Sequence, residues 1–325
     1  MSRLFEALSA LKVEHEAIEV VTSVSIAQPV AAPPTPKQEA KPEHHSLKLV
    51  QSTLGPLAQV QAGLEMEVKE VDERVQKPAE TVESPAVLVG ASPESHLVAL
   101  SDPNSLGAEK FRALVTRFDH LHNQGELRSF QVTSSVIDEG KTLVAGNVAV
   151  TLAKYSGSKT LLVEGDLHRP TLAHLFGLKE LRGLNRWWSG GDQELGNFVH
   201  RLNGLPLWFL PAGKPLSQSS DLLRSPRFVK AFTKLVSQFE WIVVDSSPML
   251  PIVDVNLWSR LVDGTLLVVR EGVTPVKELK RGLQALDHPK LIGVVVNDTT
   301  EFDQIGYAGQ YYGAPESCES SAKKR

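Results

Sequence analysis

The sequence has a single cysteine in 325 residues, Cys318, in a polar C-terminal stretch. One thiol makes no intrachain disulfide, which fits a reducing cytoplasm rather than a disulfide-stapled exterior. An excess of basic charge is also missing: the formal net charge is -4. A nucleic-acid-binding face is usually rich in Lys and Arg, so no nucleic-acid partner is expected. No run of residues approaches the roughly 20 apolar positions that cross a bilayer. The opening segment, MSRLFEALSALKVEHEAIEV, has acidic residues inside its apolar stretch and no small-residue cleavage site after it. It does not read as a signal peptide.

Aromatic residues are scarce at one end. Of all Phe, Tyr and Trp, only Phe5 lies in the first hundred residues, and all five Trp come after position 186. Nine of the 20 prolines precede residue 95, many in runs such as QPVAAPPTPKQEAKPEHH. Such a segment has too little apolar bulk to offset the entropy of ordering it. Residues 19–95 are therefore expected to be a disordered Pro-rich linker, 96–298 a folded domain, and 299–325 a flexible tail that contains tyrosines. Residues 1–18 are the exception. Leu4, Leu8 and Leu11 recur at helical spacing beside Phe5, which predicts a short amphipathic helix. Its apolar face would dock on its own domain, on a partner or on a membrane surface.

From Ser105 onward, helical and strand-like segments alternate. SLGAEKFRALVTRFDHLH predicts an entering helix. Short β-rich runs follow at Ser129–Ser134, Thr160–Val163, Leu207–Leu210, Trp241–Val244, Thr265–Val269 and Leu291–Val296. Helical stretches at Leu143–Tyr155, Arg227–Gln238 and Val276–Leu286 separate them. WIVVD and TLLVVR are apolar at consecutive positions, as strands buried on both faces must be. The pattern predicts an α/β fold, a mainly parallel sheet with helices on both faces. Ligands bind such sheets beyond the carboxyl ends of the strands.

One loop stands in that position. Strand QVTSS leads through VIDEGKT into helix LVAGNVAVTLAKY, giving Ser135-x4-Gly140-Lys141-Thr142. Backbone N–H groups of such a loop and of the helix start converge on an anion. Lys141 would reach the β- and γ-phosphates, and the Thr142 hydroxyl would hold Mg²⁺. Nucleotide contacts are expected from Ser135, Glu139, Gly140, Lys141 and Thr142. Two further strands end in carboxylates: TLLVEGDLHRP in Glu164 and Asp166, FEWIVVDSSP in Asp245. Mg²⁺ keeps several waters and needs only one or two protein carboxylates, so Thr142, Asp166 and Asp245 are the expected metal ligands. Each acid alone could equally serve as a helix cap or turn residue. Asn297, ending the last strand, would touch adenine or start a turn. His168 and His174 make no convincing metal pair, the Trp187–Trp188 pair reads as cover for a core edge, and no GxSxG elbow is present.

The order S-x4-GKT, LLVEGDLHRP, LPAGKPLSQSSDLLRSPRF and WIVVDSSP, entered by EKFRAL and closed by GVVVN and a tyrosine-containing tail, resembles the cytosolic bacterial tyrosine kinases. These form a branch of the deviant-Walker P-loop ATPases. The resemblance spans roughly residues 95 to 313 and implies ATP and Mg²⁺ as cofactors. It places Lys141 and Thr142 in Walker A, Glu164 and Asp166 in Walker A′, and Asp245 in Walker B. By that resemblance Lys141, Glu164 and Asp166 are the catalytic residues, the two acids helping to deprotonate the attacking tyrosine. It implies autophosphorylation of Tyr307, Tyr311 and Tyr312 in IGYAGQYYG, and a role in capsule and exopolysaccharide synthesis and export. It also implies two partners: the cytoplasmic segment of a membrane polysaccharide co-polymerase as activator, and further copies of the chain. The protein would then sit in the cytoplasm, at the inner face of the plasma membrane through that partner.

The sequence differs from the family pattern at identifiable points. Asp138 stands where the loop usually has glycine, and its charge would repel phosphates. Glu164 replaces the first Walker A′ aspartate, His168 an arginine and Ser247 a proline, while Val115 takes the second arginine position of the helix bearing Glu109 and Arg112. These differences keep a second reading open, a catalytically degenerate nucleotide-binding scaffold of the same machinery. A third, a partitioning-type ATPase, lacks its signature lysine, since Val136 stands there.

Overall fold

The computed structural model describes residues 86–87, 95–191, 193–250, 253–286 and 291–298. The segments 1–18 and 299–325, with Tyr307, Tyr311 and Tyr312, lie outside the described residues. Eight strands form one sheet: β1 (Ala86–Val87), β2 (Ser129–Ser134), β3 (Thr160–Glu164), β4 (His200–Leu202), β5 (Leu207–Leu210), β6 (Trp241–Asp245), β7 (Gly264–Arg270) and β8 (Leu291–Asn297). Their order across the sheet is β1-β4-β5-β3-β6-β2-β7-β8. Every pair is parallel except β4 with β5.

Nine α-helices are described: α1 (Val98–Ser101), α2 (Leu106–Asn123), α3 (Lys141–Thr151), α4 (Leu172–Leu175), α5 (Leu184–Ser189), α6 (Ser219–Arg224), α7 (Pro226–Val236), α8 (Asp254–Ser259) and α9 (Val276–Ala285). Each long one has a local cause. Ser105 caps α2 by accepting a hydrogen bond from the Ala108 N–H at 3.2 Å, satisfying one of the amides that a helix start leaves unpaired. Pro226 opens α7, where a missing N–H costs nothing. α3 continues into a π-helical turn, Leu152–Ser156, and stops at Gly157, whose φ of 66° is left-handed.

Alternation along the strands fills a core on each face of the sheet. Leu162, Trp241, Val243, Leu266 and Val268 pack with α2 and α3 through Phe111, Phe118, Val144 and Val148. Their neighbours Leu161, Val163, Ile242 and Val244 face the other way, onto Trp187, Phe228, Phe232 and Trp258. Leu267, Val269, Val294 and Val296 meet Leu279 and Leu283 of α9. The expected mainly parallel sheet with helices on both faces is the observed one. Trp187 is fully buried, edge-on to Phe228, with its indole N–H donated to the Gln193 carbonyl at 2.8 Å.

Two short strands depart from expectation. β1 falls within the segment assigned to the linker, and β4 has only three residues. Pairing of β1 with β4 is a main-chain interaction, so it needs none of the apolar bulk whose lack suggested disorder. Asn147 of α3 ties down the chain just after it. Its Oδ1 accepts from the Ala99 N–H at 3.0 Å, and its Nδ2 donates to the His96 carbonyl at 3.2 Å.

Candidate nucleotide and metal site

Strands β2, β3, β6 and β8 end at the same edge of the sheet, and their tips carry the polar residues. β2 is flanked by β6 and β7, so the loop leaving it, Ser135–Gly140, emerges where neighbouring crossovers diverge. In open α/β sheets this is the place for a ligand crevice. Gly140 ends the loop as the N-cap of α3, with φ 92°. A Cβ there would lie 2.2 Å from Asn297 Nδ2, so glycine is required both by backbone conformation and by space. Asp138 is also left-handed, at φ 62°. It supplies without glycine the conformation that the loop needs there, at a cost of about 1 kcal/mol. Its side chain is exposed.

Lys141 points at the two strand-tip acids. Its Nζ is 3.0 Å from Asp166 Oδ2, 3.8 Å from Asp245 Oδ1 and 3.2 Å from the Thr142 hydroxyl. Burial works to lower the lysine pKa, yet Asp245, Asp166 and Asp138 together hold it above its usual value. Asp245 is 1% exposed, and neither of its oxygens accepts a hydrogen bond among the described residues. Burial pushes its carboxyl up to about 7, against the opposing pull of Lys141. The other oxygen of Asp166 accepts from the Arg169 N–H at 3.0 Å and the Ser247 hydroxyl at 3.2 Å. Ser247, which replaces a proline of the family pattern, thus donates to Asp166.

Glu164, expected to assist at the reacting centre, is bonded to backbone here: its Oε1 accepts from the Leu172 and Ala173 N–H groups at 2.7 and 3.2 Å, and its Oε2 from the Ala212 N–H at 3.0 Å. The carboxylate caps α4 and fastens the 211–212 segment to β3. Burial raises its pKa, opposed by those backbone donors. The extra methylene of Glu over Asp lets the group reach these amides, and they occupy it.

Glu139 is likewise turned inward. Its Oε2 accepts from the Val136 N–H at 2.9 Å, and its Oε1 from the Thr274 hydroxyl. Any nucleotide contact it makes falls to its backbone. Asn297 is tied to the loop: its Nδ2 donates to the Glu139 carbonyl at 3.0 Å. Its Oδ1 and the Ser135 hydroxyl are buried without a hydrogen-bond partner among the described residues. His168 pairs with Asp254 at 3.3 Å and with the Ser219 hydroxyl at 2.9 Å, away from any metal-like grouping.

The donor set suits Mg²⁺ held beside a phosphate chain. Among the described residues no group of three or more His, Cys, Asp and Glu side chains is gathered as a metal cage. A hydroxyl and two carboxylates, Thr142, Asp166 and Asp245, are what a cation completed by phosphate oxygens and water uses. Asp245, buried and paired only loosely with Lys141 at 3.8 Å, has the character of a metal ligand. Sequence reasoning missed Thr274 and Arg270, although the end of strand TLLVVR followed by a Thr-Pro step, where strand-end loops carry the site, was the available signal.

No protein-family profile matches the chain. The tyrosine-protein kinase YwqD of Bacillus subtilis is 26% identical over 224 residues, covering 68% of this chain and 94% of YwqD. CapB of Staphylococcus aureus is 29% identical over 225 residues, 67% of this chain and 96% of CapB. The chain is a homologue of the bacterial tyrosine kinases. This kinase homologue is also 31% identical over 223 residues to the succinoglycan biosynthesis transport protein ExoP of Rhizobium meliloti, but the match spans only 28% of ExoP. Among solved structures, the chimerical protein CapA2B2 superposes with TM-score 0.59 at 25% identity, over 64% of this chain and 91% of that one. The BceF tyrosine kinase domain superposes with TM-score 0.55 at 26% identity, over 62% and 81%. The P-loop architecture of the kinase homologue is therefore shared along most of its described domain.

Proposed function

We propose that the protein is an Mg-ATP-dependent protein-tyrosine autokinase that acts in capsule or exopolysaccharide synthesis and phosphorylates Tyr307, Tyr311 and Tyr312. The observation that carries this reading is the convergence of Lys141, Thr142, Asp166 and Asp245 at the strand tips around the start of α3. Backbone amides of the loop bind the phosphates, and Lys141 moves from the acids to the β- and γ-oxygens. Thr142, Asp166 and Asp245 would hold Mg²⁺, which would supply charge neutralisation to the phosphate chain. The phenolic oxygen of a tail tyrosine attacks the γ-phosphorus, the bond to the β–γ bridging oxygen breaks, and ADP leaves. Phosphoryl transfer of this kind is mostly positioning and charge stabilisation. With Glu164 committed to backbone amides, Asp166 is the remaining expected acid for the phenolic proton.

No helix among the described residues is long and apolar enough to cross a membrane. The proposed activator is the cytoplasmic segment of a membrane polysaccharide co-polymerase, which would hold the protein at the inner face of the plasma membrane, with further copies of the chain as phosphorylation partners. Incubation with Mg-ATP, with and without that segment, followed by phosphopeptide mapping, tests the proposal. Phosphate on the three tail tyrosines of the wild type and none on Lys141→Ala supports it. Bare tyrosines under both conditions contradict it.

A second reading has its own support. Asp138 beside the phosphate position and the engaged Glu164 favour a nucleotide-binding scaffold without transfer. Binding of Mg-ADP with no tail phosphate in the same experiment selects it.

A further inference from the structure

The phosphate loop is braced from behind by residues the reaction scheme does not use. Glu139 lies between two left-handed residues, Asp138 at φ 62° and Gly140 at φ 92°, so the chain reverses sharply on each side of it. Conformations of this kind persist only where surrounding bonds hold them. The Glu139 side chain is fully buried and grips the loop internally through the Val136 N–H. Its other oxygen takes the Thr274 hydroxyl, from the loop after β7. That hydroxyl oxygen accepts in turn from the Arg270 N–H at 2.8 Å. The Arg270 guanidinium donates to Asp298 at 2.9 and 2.6 Å. Asp298 follows Asn297, whose amide returns to the Glu139 carbonyl at 3.0 Å. The bonds close a ring from the loop through the ends of β7 and β8 and back to the loop.

We propose that Thr274 is a positioning residue for the nucleotide site, holding the phosphate loop in its cradle shape through Glu139. Thr274 links the Glu139 carboxylate to the loop after β7 through its side-chain hydroxyl. A hydroxyl is required there, because the same oxygen must donate to a carboxylate and accept from a backbone N–H. Valine keeps the shape and loses both bonds; serine keeps both. The inference rests on the nucleotide-site reading, and its test is arranged so that the two fail separately.

The experiment compares wild type, Thr274→Val and Thr274→Ser by calorimetric titration with Mg-ADP and by amide hydrogen exchange of residues 135–140 without nucleotide. Thermal melting serves as the check on folding. Thr274→Val is expected to weaken Mg-ADP binding about tenfold, the loss of roughly one net hydrogen bond to a charged group. It should also speed exchange in 135–140 while leaving the strands protected. Thr274→Ser should restore both to within about twofold of wild type. A Thr274→Val protein with wild-type affinity and wild-type exchange overturns the proposal. So does a serine variant as impaired as the valine. If wild type itself binds no Mg-ADP, the nucleotide reading falls, and the exchange comparison alone decides the brace.

Discussion

Lys141 lies between Asp166 and Asp245, its Nζ 3.0 Å from one carboxylate and 3.8 Å from the other. One cation faces two acids in a buried place, so the site carries surplus negative charge. A divalent cation would neutralise that surplus and release the lysine for phosphate.

The burial of Asp245 predicts a pH dependence. The Asp245 carboxyl is pushed up to about 7 from an ordinary 3.8, so the folded state binds more protons than the unfolded state between those values. Stability from this group is complete below about 3.8 and is lost as pH rises through about 7. Asp245→Asn removes the titration. Its melting temperature should exceed that of wild type by on the order of 10 °C at pH 8, since the rise from 3.8 to about 7 corresponds to roughly 4 kcal/mol, and the gap should narrow toward pH 5. A gap that widens on acidification contradicts the assignment.

Asp138 predicts an unusual gain of function. Asp138→Gly relieves a left-handed non-glycine conformation and removes a negative charge beside Lys141. Mg-ADP should bind about fivefold more tightly, close to 1 kcal/mol. Unchanged or weaker binding would show that Asp138 does not oppose phosphate.

Glu164 separates a structural from a chemical role. In Glu164→Gln the amide NH₂ meets a backbone N–H donor, leaving one or two buried groups unsatisfied at a cost of about 1–3 kcal/mol. The expected result is a lower melting temperature with phosphoryl transfer reduced only as far as folding is. A loss of transfer of about 100-fold or more with unchanged melting would restore Glu164 as a proton acceptor.

The domain was legible because its signals are local. WIVVD and TLLVVR show burial on both faces, and GKT between strand and helix shows the loop. The β1–β4 pairing was not legible, since backbone bonds leave no mark in side-chain pattern. Nor was the turning of Glu164 onto the amides of Leu172, Ala173 and Ala212. A strand-tip acid looks the same in sequence whether it faces a metal or a helix start. Thr274 escaped notice for a similar reason: its partner, Glu139, is 135 residues away.

The central claim is that Lys141, Thr142, Asp166 and Asp245 form one Mg-nucleotide site. Calorimetric titration of wild type and Lys141→Ala with Mg-ADP tests it most directly. Saturable binding at one site per chain, abolished in Lys141→Ala and lost when EDTA removes the metal, is the predicted result. A wild-type protein that takes up no nucleotide at millimolar concentration, or a Lys141→Ala variant that binds equally well, would contradict it.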